Sequence, residues 1–322
     1  MNVSIHPPLV FIVILQYNNS QDTLECLESL KELYPVKSPD GGTAEQLFDR
    51  VNYPNHKVVV VDNASQEAEV NNIKEYARSQ VGVELLENKE NLGYAGGNNV
   101  GIKYALENGA DYVFVLNNDT KVEKDALRKL VAAAEADAEI GIVGPAIKEG
   151  EKTAYFGKIS WLKPELKHSY HPPLSTRFHL VLGEYVPGAA MLIKKELLEK
   201  IEGFDEIYFL YFEDADFSIR AQLAGYKLKV VPEAVINHKV SASTKHLGSP
   251  LILRYHMRNS LTFNSLNAPW TVKPFLIFWA GYIVLKNLVK MFVMPAKAQA
   301  ADAIIEGVLD FYKNKFGAIV PK

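Results

Sequence analysis

Cysteine is almost missing from this chain: Cys26 is the single one among 322 residues. That excludes an internal disulfide and any multi-cysteine metal site. Cys26 lies between Leu24 and Leu27 on an expected helix, so its reading is buried packing. Charge of one sign is also lacking. The net charge of -3 gives no general argument for nucleic acid as a partner. No basic leader precedes the apolar run at 10–15, and Pro7 and Pro8 interrupt the start. The expectation is therefore a cytoplasmic protein without a secretory signal. The glycines near residue 95 have neither the dinucleotide-binding spacing nor the P-loop spacing, so neither chemistry is indicated.

What is present is alternation. Residues 9–15, 58–61, 83–86, 113–116 and 140–147 are short apolar runs without a helical period, the pattern of strands buried on both faces. Between them lie a leucine-spaced helix starting after Ser20 and ended by Pro35, a helix at about 100–107 stopped by Gly109, and an amphipathic helix at 121–136. This order implies an α/β, doubly wound, mostly parallel sheet. Residues 36–52 are polar, with Pro39, Gly41 and Gly42. They read as an insertion with no catalytic role. Further on, a strand at 185–193 turns at Pro187-Gly188, a short helix covers 195–201, and another strand covers 227–231.

The chemistry-bearing residues cluster where strands end. The strand at 113–116 runs into Asn117-Asn118-Asp119. In open α/β sheets ligands bind at the carboxyl ends of strands, and a carboxylate there can hold a divalent cation against a diphosphate. A plain polar turn reads equally well. Asp62 ends the strand at 58–61, where it can accept a hydrogen bond from a base or ribose, or cap the next helix. Glu213-Asp214 follow an aromatic run, Tyr208 to Phe212. A partly desolvated carboxylate there suits a general base, although acidic residues also simply favour a helix start. His238 stands before a Ser/Thr segment, as a metal ligand or a phosphate contact.

Taken together, these motifs resemble the inverting glycosyltransferases of family 2, which use the GT-A nucleotide-diphospho-sugar transferase fold. The resemblance covers roughly residues 10–259. Residues 60–65 look like the family's nucleobase-contacting segment, with Asp62 reading a pyrimidine and Asn18 lining the same pocket. Residues 91–99 look like its donor loop, which implies Asn91, Gly93, Gly96, Gly97 and Asn98 as donor contacts. Asn117-Asn118-Asp119 stands where the family has its Asp-x-Asp metal motif. Its first aspartate is replaced by asparagine, as in rhamnosyltransferase-like members, so Asp119 is the one carboxylate of the motif. The resemblance implies Asn117 and Asn118 at the donor, Asp119 and His238 on Mg²⁺ or Mn²⁺, and Asp214 as base with Glu213 as second choice. Residues 255–259 are similar to a segment of the rhamnosyltransferase-like subgroup. Arg258 is expected to meet a phosphate there, with Lys245 as an alternative.

The implied activity is metal-dependent, inverting transfer of a sugar to a saccharide or lipid-linked saccharide in cell-surface polysaccharide synthesis. The donor is a nucleoside-diphosphate sugar, with dTDP-rhamnose favoured over a UDP-sugar. Two other readings stay open: a sugar nucleotidyltransferase, and a non-catalytic sugar-nucleotide or glycan-binding module. The expected layout is a catalytic domain at 1–260, with its nucleotide-binding part at 1–150 and its acceptor part at 151–260. A helical appendage follows at 261–322. Its apolar stretch at 272–294 is interrupted by Lys286, Asn287 and Lys290. That argues against a clean span and for an interfacial helix at the inner face of the cell membrane, or for packing against the domain or in a homodimer.

Overall fold

Leu9–Gln16 (β1) is the axis of the molecule. The computed structural model describes residues 7–33, 54–80, 82–172, 179–239 and 249–319. The expected insertion at 36–52, the Ser/Thr segment at 241–244 and Lys245 lie outside them. After β1 come Ser20–Leu30 (α1), Asn55–Asp62 (β2), Glu67–Ser79 (α2), Val83–Glu87 (β3) and Gly93–Glu107 (α3). Tyr112–Asn117 (β4), Thr120–Val122 (β5), Ala126–Glu135 (α4) and Ile140–Glu149 (β6) complete the first half. The second half holds Lys152–Ala154 (β7), Phe156–Ser160 (β8), Glu165–Ser169 (β9), Glu184–Tyr185 (β10), Ala190–Lys194 (β11), Lys195–Ile201 (α5), Glu213–Leu223 (α6) and Lys227–His238 (β12). Pro250–Asn267 (α7), Phe275–Val293 (α8) and Ala298–Tyr312 (α9) close the chain.

The main sheet has the order β3-β2-β1-β4-β11-β6-β12-β5, with β7 on β6. The pairs β3–β2, β2–β1, β1–β4 and β6–β12 are parallel. β11 enters antiparallel between β4 and β6, which alternation alone did not indicate. Strands β10, β8 and β9 form a small antiparallel sheet. The period of two along β1 explains its unbroken apolar run. Ile12 and Ile14 join one buried layer with Leu27 and Leu127, while Phe11 and Val13 join the other with Ile102 and Phe217. With both faces covered there is no place for a polar residue until the strand ends.

Two expected boundaries move. The helix expected at 121–136 begins only at Ala126, because Thr120–Val122 pairs with β12 as an edge strand. More important, α3 begins at Gly93, so most of the glycine-rich loop is helix. Glycine is a poor helix former, but here the helix needs it to lie close to the sheet. A Cβ on Gly101 would come within 2.3 Å of Val13 Cγ1 and 3.0 Å of Val61 Cγ2. Both valines are fully buried and stiff. The Gly101→Ala variant is therefore expected to lose about 1–3 kcal/mol by overpacking, despite alanine's better helix propensity. Urea unfolding checks this, and an unchanged midpoint would refute the close-packing account.

The three C-terminal helices lie together. Arg254 on α7 pairs with Asp310 at 2.5 Å and Glu306 at 2.6 Å on α9. Leu261, Ala280, Ile283 and Val308 form their small core. The boundary expected between 260 and 261 falls inside α7.

Candidate active site

The metal side is built by strand pairing. β5 and β12 are antiparallel with His238 opposite Thr120, and the Lys239 amide donates to the Asp119 carbonyl at 2.9 Å. This register sets the His238 ring against the Asp119 carboxylate. Nε2 and Oδ1 are 3.1 Å apart, both buried, and each has the other as its one partner. On its other side His238 Nδ1 lies 3.3 Å from Glu149 Oε1, brought there by the parallel β6–β12 pairing. Burial works against a charge on His238, but Asp119 and Glu149 outweigh it and push its pKa up to about 9. Glu149 is a positioning residue that sequence reading missed. It sits at a strand's carboxyl end, which was the available signal.

These residues fit a divalent cation. Two buried ligand atoms face each other with no partner but one another, and two ligands at about 2.1 Å from an octahedral ion would be about 3 Å apart. Among the described residues no group of three or more His, Cys, Asp or Glu could hold a metal. Asp119 and His238 would therefore supply the protein's share, and diphosphate and water the remainder. Asn117 and Asn118 serve this loop from within. The Asn117 carbonyl accepts from Thr120 Oγ1, and Asn118 Nδ2 donates to Thr23 Oγ1 at 3.0 Å. Cys26 is buried beneath, with burial pushing its thiol up to about 12.

On the nucleotide side Asp62 is buried. Its Oδ2 accepts the Ser65 amide at 3.0 Å, while Oδ1 has no partner. Asp62 therefore does not cap α2, whose N-cap Gln66 has no side-chain bond; it closes a turn onto Ser65 and leaves one oxygen unpartnered. Asn18 has a positive φ of 51, and its Oδ1 accepts the Gln66 amide at 2.8 Å. Asn63, not singled out from sequence, ties the loop together. Its Oδ1 accepts from Asn88 Nδ2 and the Leu92 amide, and its Nδ2 donates to Asn91 Oδ1 and the Gly93 carbonyl. Asn98 Nδ2 donates to the Tyr94 carbonyl, and its Oδ1 is buried without a partner.

Several donor expectations change in kind here. The α3 start does not offer free amides to an anion. Gly93 N–H is taken by Asn91 Oδ1, and the Tyr94 and Ala95 amides by the Phe209 carbonyl. The space that Gly93, Gly96 and Gly97 keep clear is filled by this chain. A Cβ would meet the Phe209 carbonyl at 2.3 Å, Leu92 Cβ at 2.9 Å and Leu15 Cδ1 at 2.4 Å, respectively. Gly93 lets the helix approach the aromatic loop, and Gly97 lets it approach β1. Arg258 is a plain correction. It is 1% exposed and donates to the carbonyls of Tyr208, Lys315 and Gly317 and to Asn259 Oδ1. A guanidinium so enclosed and so fully used does not reach a phosphate. Sequence shows that a residue is basic, not that it is buried.

The base side is the aromatic loop and the start of α6. Phe209, Tyr211 and Phe212 have φ of 64, 70 and 79, a left-handed backbone costing about 1–3 kcal/mol per non-glycine residue. Asn259 holds it open, its Nδ2 lying 2.8, 2.7 and 3.1 Å from the carbonyls of Tyr208, Leu210 and Tyr211. Tyr211 also stacks on His256 at 4.2 Å. From this loop Glu213 points inward, buried, with Oε2 unpartnered. Burial, and then the neighbouring Asp214, push its pKa well above the usual carboxylate range. Asp214 is partly exposed and accepts the Gly188 and Ala215 amides at 2.9 and 2.8 Å. Burial pushes it up too, against the pull of those two amides. The Tyr94 hydroxyl, 2.6 Å from the Gly188 carbonyl, feels the charges of Glu213, Asp214 and Asp119. Gly188 and Ala189 join the two sides: Asp214 and Tyr94 bond to Gly188, and the Asn117 amide donates to the Ala189 carbonyl at 2.9 Å.

The ion pair of Asp119 with His238, the raised carboxyls of Glu213 and Asp214, and the unpartnered Asp62 oxygen all stand at strand or helix ends. The sequence model of Glycosyl transferase family 2 matches residues 11–201, and that of Glycosyl transferase family group 2 matches 112–291. The chain belongs to glycosyl transferase family 2 and is a glycosyltransferase. It is 25% identical to a low-salt glycan biosynthesis hexosyltransferase of Haloferax volcanii, over 95% of this chain and 92% of that one. It is 23% identical to a dTDP-rhamnosyl transferase of Shigella flexneri, over 69% and 75% of the two chains. Among solved structures, a mannosyltransferase from Pyrobaculum calidifontis in complex with GDP-Man and Mn²⁺ superposes with a TM-score of 0.56 at 16% identity, covering 98% and 90%. The fold is thus the GT-A fold.

Proposed function

We propose that this glycosyltransferase is metal-dependent and inverting, and that it moves rhamnose from dTDP-rhamnose to a saccharide or lipid-linked saccharide acceptor. The setting is cell-surface polysaccharide synthesis at the cytoplasmic face of the membrane. The observation that carries the reading is the facing pair Asp119 Oδ1 and His238 Nε2, with Asp214 and the Tyr94 hydroxyl both bonded to Gly188. A divalent ion held there would neutralise the charge of the departing diphosphate. Asp62 Oδ1 receives an N–H of the pyrimidine. Asp214 takes the acceptor's hydroxyl proton. The acceptor oxygen bonds to the anomeric carbon as the bond from that carbon to the diphosphate oxygen breaks, and the nucleoside diphosphate leaves with that electron pair. One displacement with one base inverts the centre. No second carboxylate is needed as acid, unlike glycoside hydrolysis. The likeness to the dTDP-rhamnosyl transferase of Shigella flexneri supports the sugar, and the exposed apolar helix α8 supports a lipid-linked acceptor.

Thermal unfolding with a panel of dTDP-, UDP- and GDP-sugars tests the donor. A ligand that binds only the folded state raises its stability, by about 2.7 kcal/mol at one hundred times its Kd. Stabilisation by dTDP-rhamnose with Mg²⁺ or Mn²⁺ is expected, reversed by chelator and lost in Asp119→Ala. Stabilisation by another nucleotide sugar alone would replace the donor. Equal stabilisation with chelator present would remove the metal.

A further inference from the structure

Helix α8 carries apolar stripes on two opposite sides but is packed along one of them. Leu276, Ala280, Ile283 and Asn287 are buried along one stripe, against Leu261 of α7 and Val308 of α9. The opposite stripe is Phe278, Tyr282, Leu285, Val289 and Phe292, each more than half exposed, with Phe278 at 73% and Phe292 at 85%. Their spacing of four and three residues keeps them on one line of the helix. Trp270, just before the helix, is 80% exposed. A helix apolar on opposite sides suits either a protein core or a membrane, and a continuous apolar face of this kind marks an interaction site.

The charges around it select the partner. From residue 234 to residue 301 the sequence holds no aspartate or glutamate, whereas Lys273, Lys286, Lys290 and Lys297 lie on or beside α8. The chain as a whole is net negative, so this positive charge is local. Aromatic and basic residues flanking an apolar stripe are what a helix lying in an anionic lipid surface carries. A two-fold contact with a second copy would instead bring the same positively charged patch to both sides of the seam. By length and composition α8 is the one helix among the described residues that could cross a bilayer, with a mean hydropathy of 1.6. Crossing would strip the buried stripe from α7 and α9 and carry Lys286 and Lys290 into hydrocarbon, which is costly.

We infer that α8 docks flat on an anionic bilayer through the Phe278–Phe292 stripe, with its lysines among the headgroups. This rests on the proposed function only for its setting beside a lipid-linked acceptor; the docking itself needs neither donor nor acceptor. Co-sedimentation of the full chain with vesicles of phosphatidylcholine, alone or with about a third phosphatidylglycerol, tests it. Binding to the anionic vesicles is expected, weakened by salt. Lys286→Gln with Lys290→Gln should weaken it about 25-fold, at roughly fivefold per lysine near such a surface. Phe278→Ser with Phe292→Ser should abolish it without changing thermal unfolding or metal-dependent stabilisation by a nucleotide sugar. Absence of binding to anionic vesicles, or equal binding to both kinds, overturns the inference. So does a stable dimer in light scattering that the phenylalanine variants convert to monomer. Because donor binding is read separately, a failed donor panel leaves this result standing, and the reverse holds too.

Discussion

Asp214→Asn is expected to lower kcat by about 10²–10⁴-fold, the usual contribution of a positioned general base, while leaving donor affinity within a few-fold. Asp214 Oδ2 and Oδ1 each accept one backbone amide, and a carboxylate still has lone pairs to spare for an incoming proton. An asparagine keeps the shape, retains one amide bond and cannot take the proton. Single-turnover kinetics with donor titration would separate the two effects. Turnover within a few-fold of the parent would end the assignment, and a loss confined to Glu213→Gln would pass the role to Glu213. Glu213 is the weaker choice because it is buried, with its free oxygen enclosed. The pKa directions add a pH test. Both carboxyls are raised in the folded protein, so the native state holds protons that the unfolded chain releases. Stability is then greatest below the ordinary carboxylate range and falls as pH rises through the raised values. Asp214→Asn should flatten that fall. The activity of the parent should rise with pH over the same interval, because the base works only when ionised.

The second large effect is expected far from any reacting atom. Asn259→Leu removes an amide shared among three carbonyls of the aromatic loop. A buried polar group left without its partner costs about 1–3 kcal/mol, and here the freed groups sit in a left-handed backbone that stays only while it is held. We expect a lower unfolding temperature and a kcat reduced at least tenfold, with donor affinity less affected. A merely less stable protein would show the same pH–rate profile with fewer active molecules. A slackened loop lets water reach Asp214, so the acidic limb of the profile should move down toward the usual carboxylate value. An unmoved limb would reduce Asn259 to a stability residue.

The pattern of what was legible follows from range. The strand ends carrying Asp62 and Asp119 could be read because a doubly covered strand must stay apolar until it leaves the sheet. Glu213 and Asp214 could be read because an aromatic run followed by acids at a helix start is a local signal. The α3 start could not, because glycine's poor helix propensity hides a helix that exists through contact with Val13 and Val61. Glu149 and Asn63 act through partners 89 and about 30 residues away, a distance over which no spacing rule operates. Arg258 was misread for a related reason. Its partners are backbone carbonyls of the aromatic loop and the chain's last described turn, and a carbonyl leaves no mark in a sequence.

Helix α7 has one more consequence. Leu261 faces the hairpin of α8 and α9, while Arg258 and Asn259, less than a turn away, face the aromatic loop. Residues 315, 317 and 319 fasten onto the same helix through Arg258 and Tyr255. The appendage and the catalytic half therefore share a wall, and neither can be exchanged between relatives like a cassette. A chimera joined at residue 260 would inherit a base whose support was shaped by another ancestor. One trimmed before residue 315 would keep every residue of the site and lose part of the scaffolding that aims it.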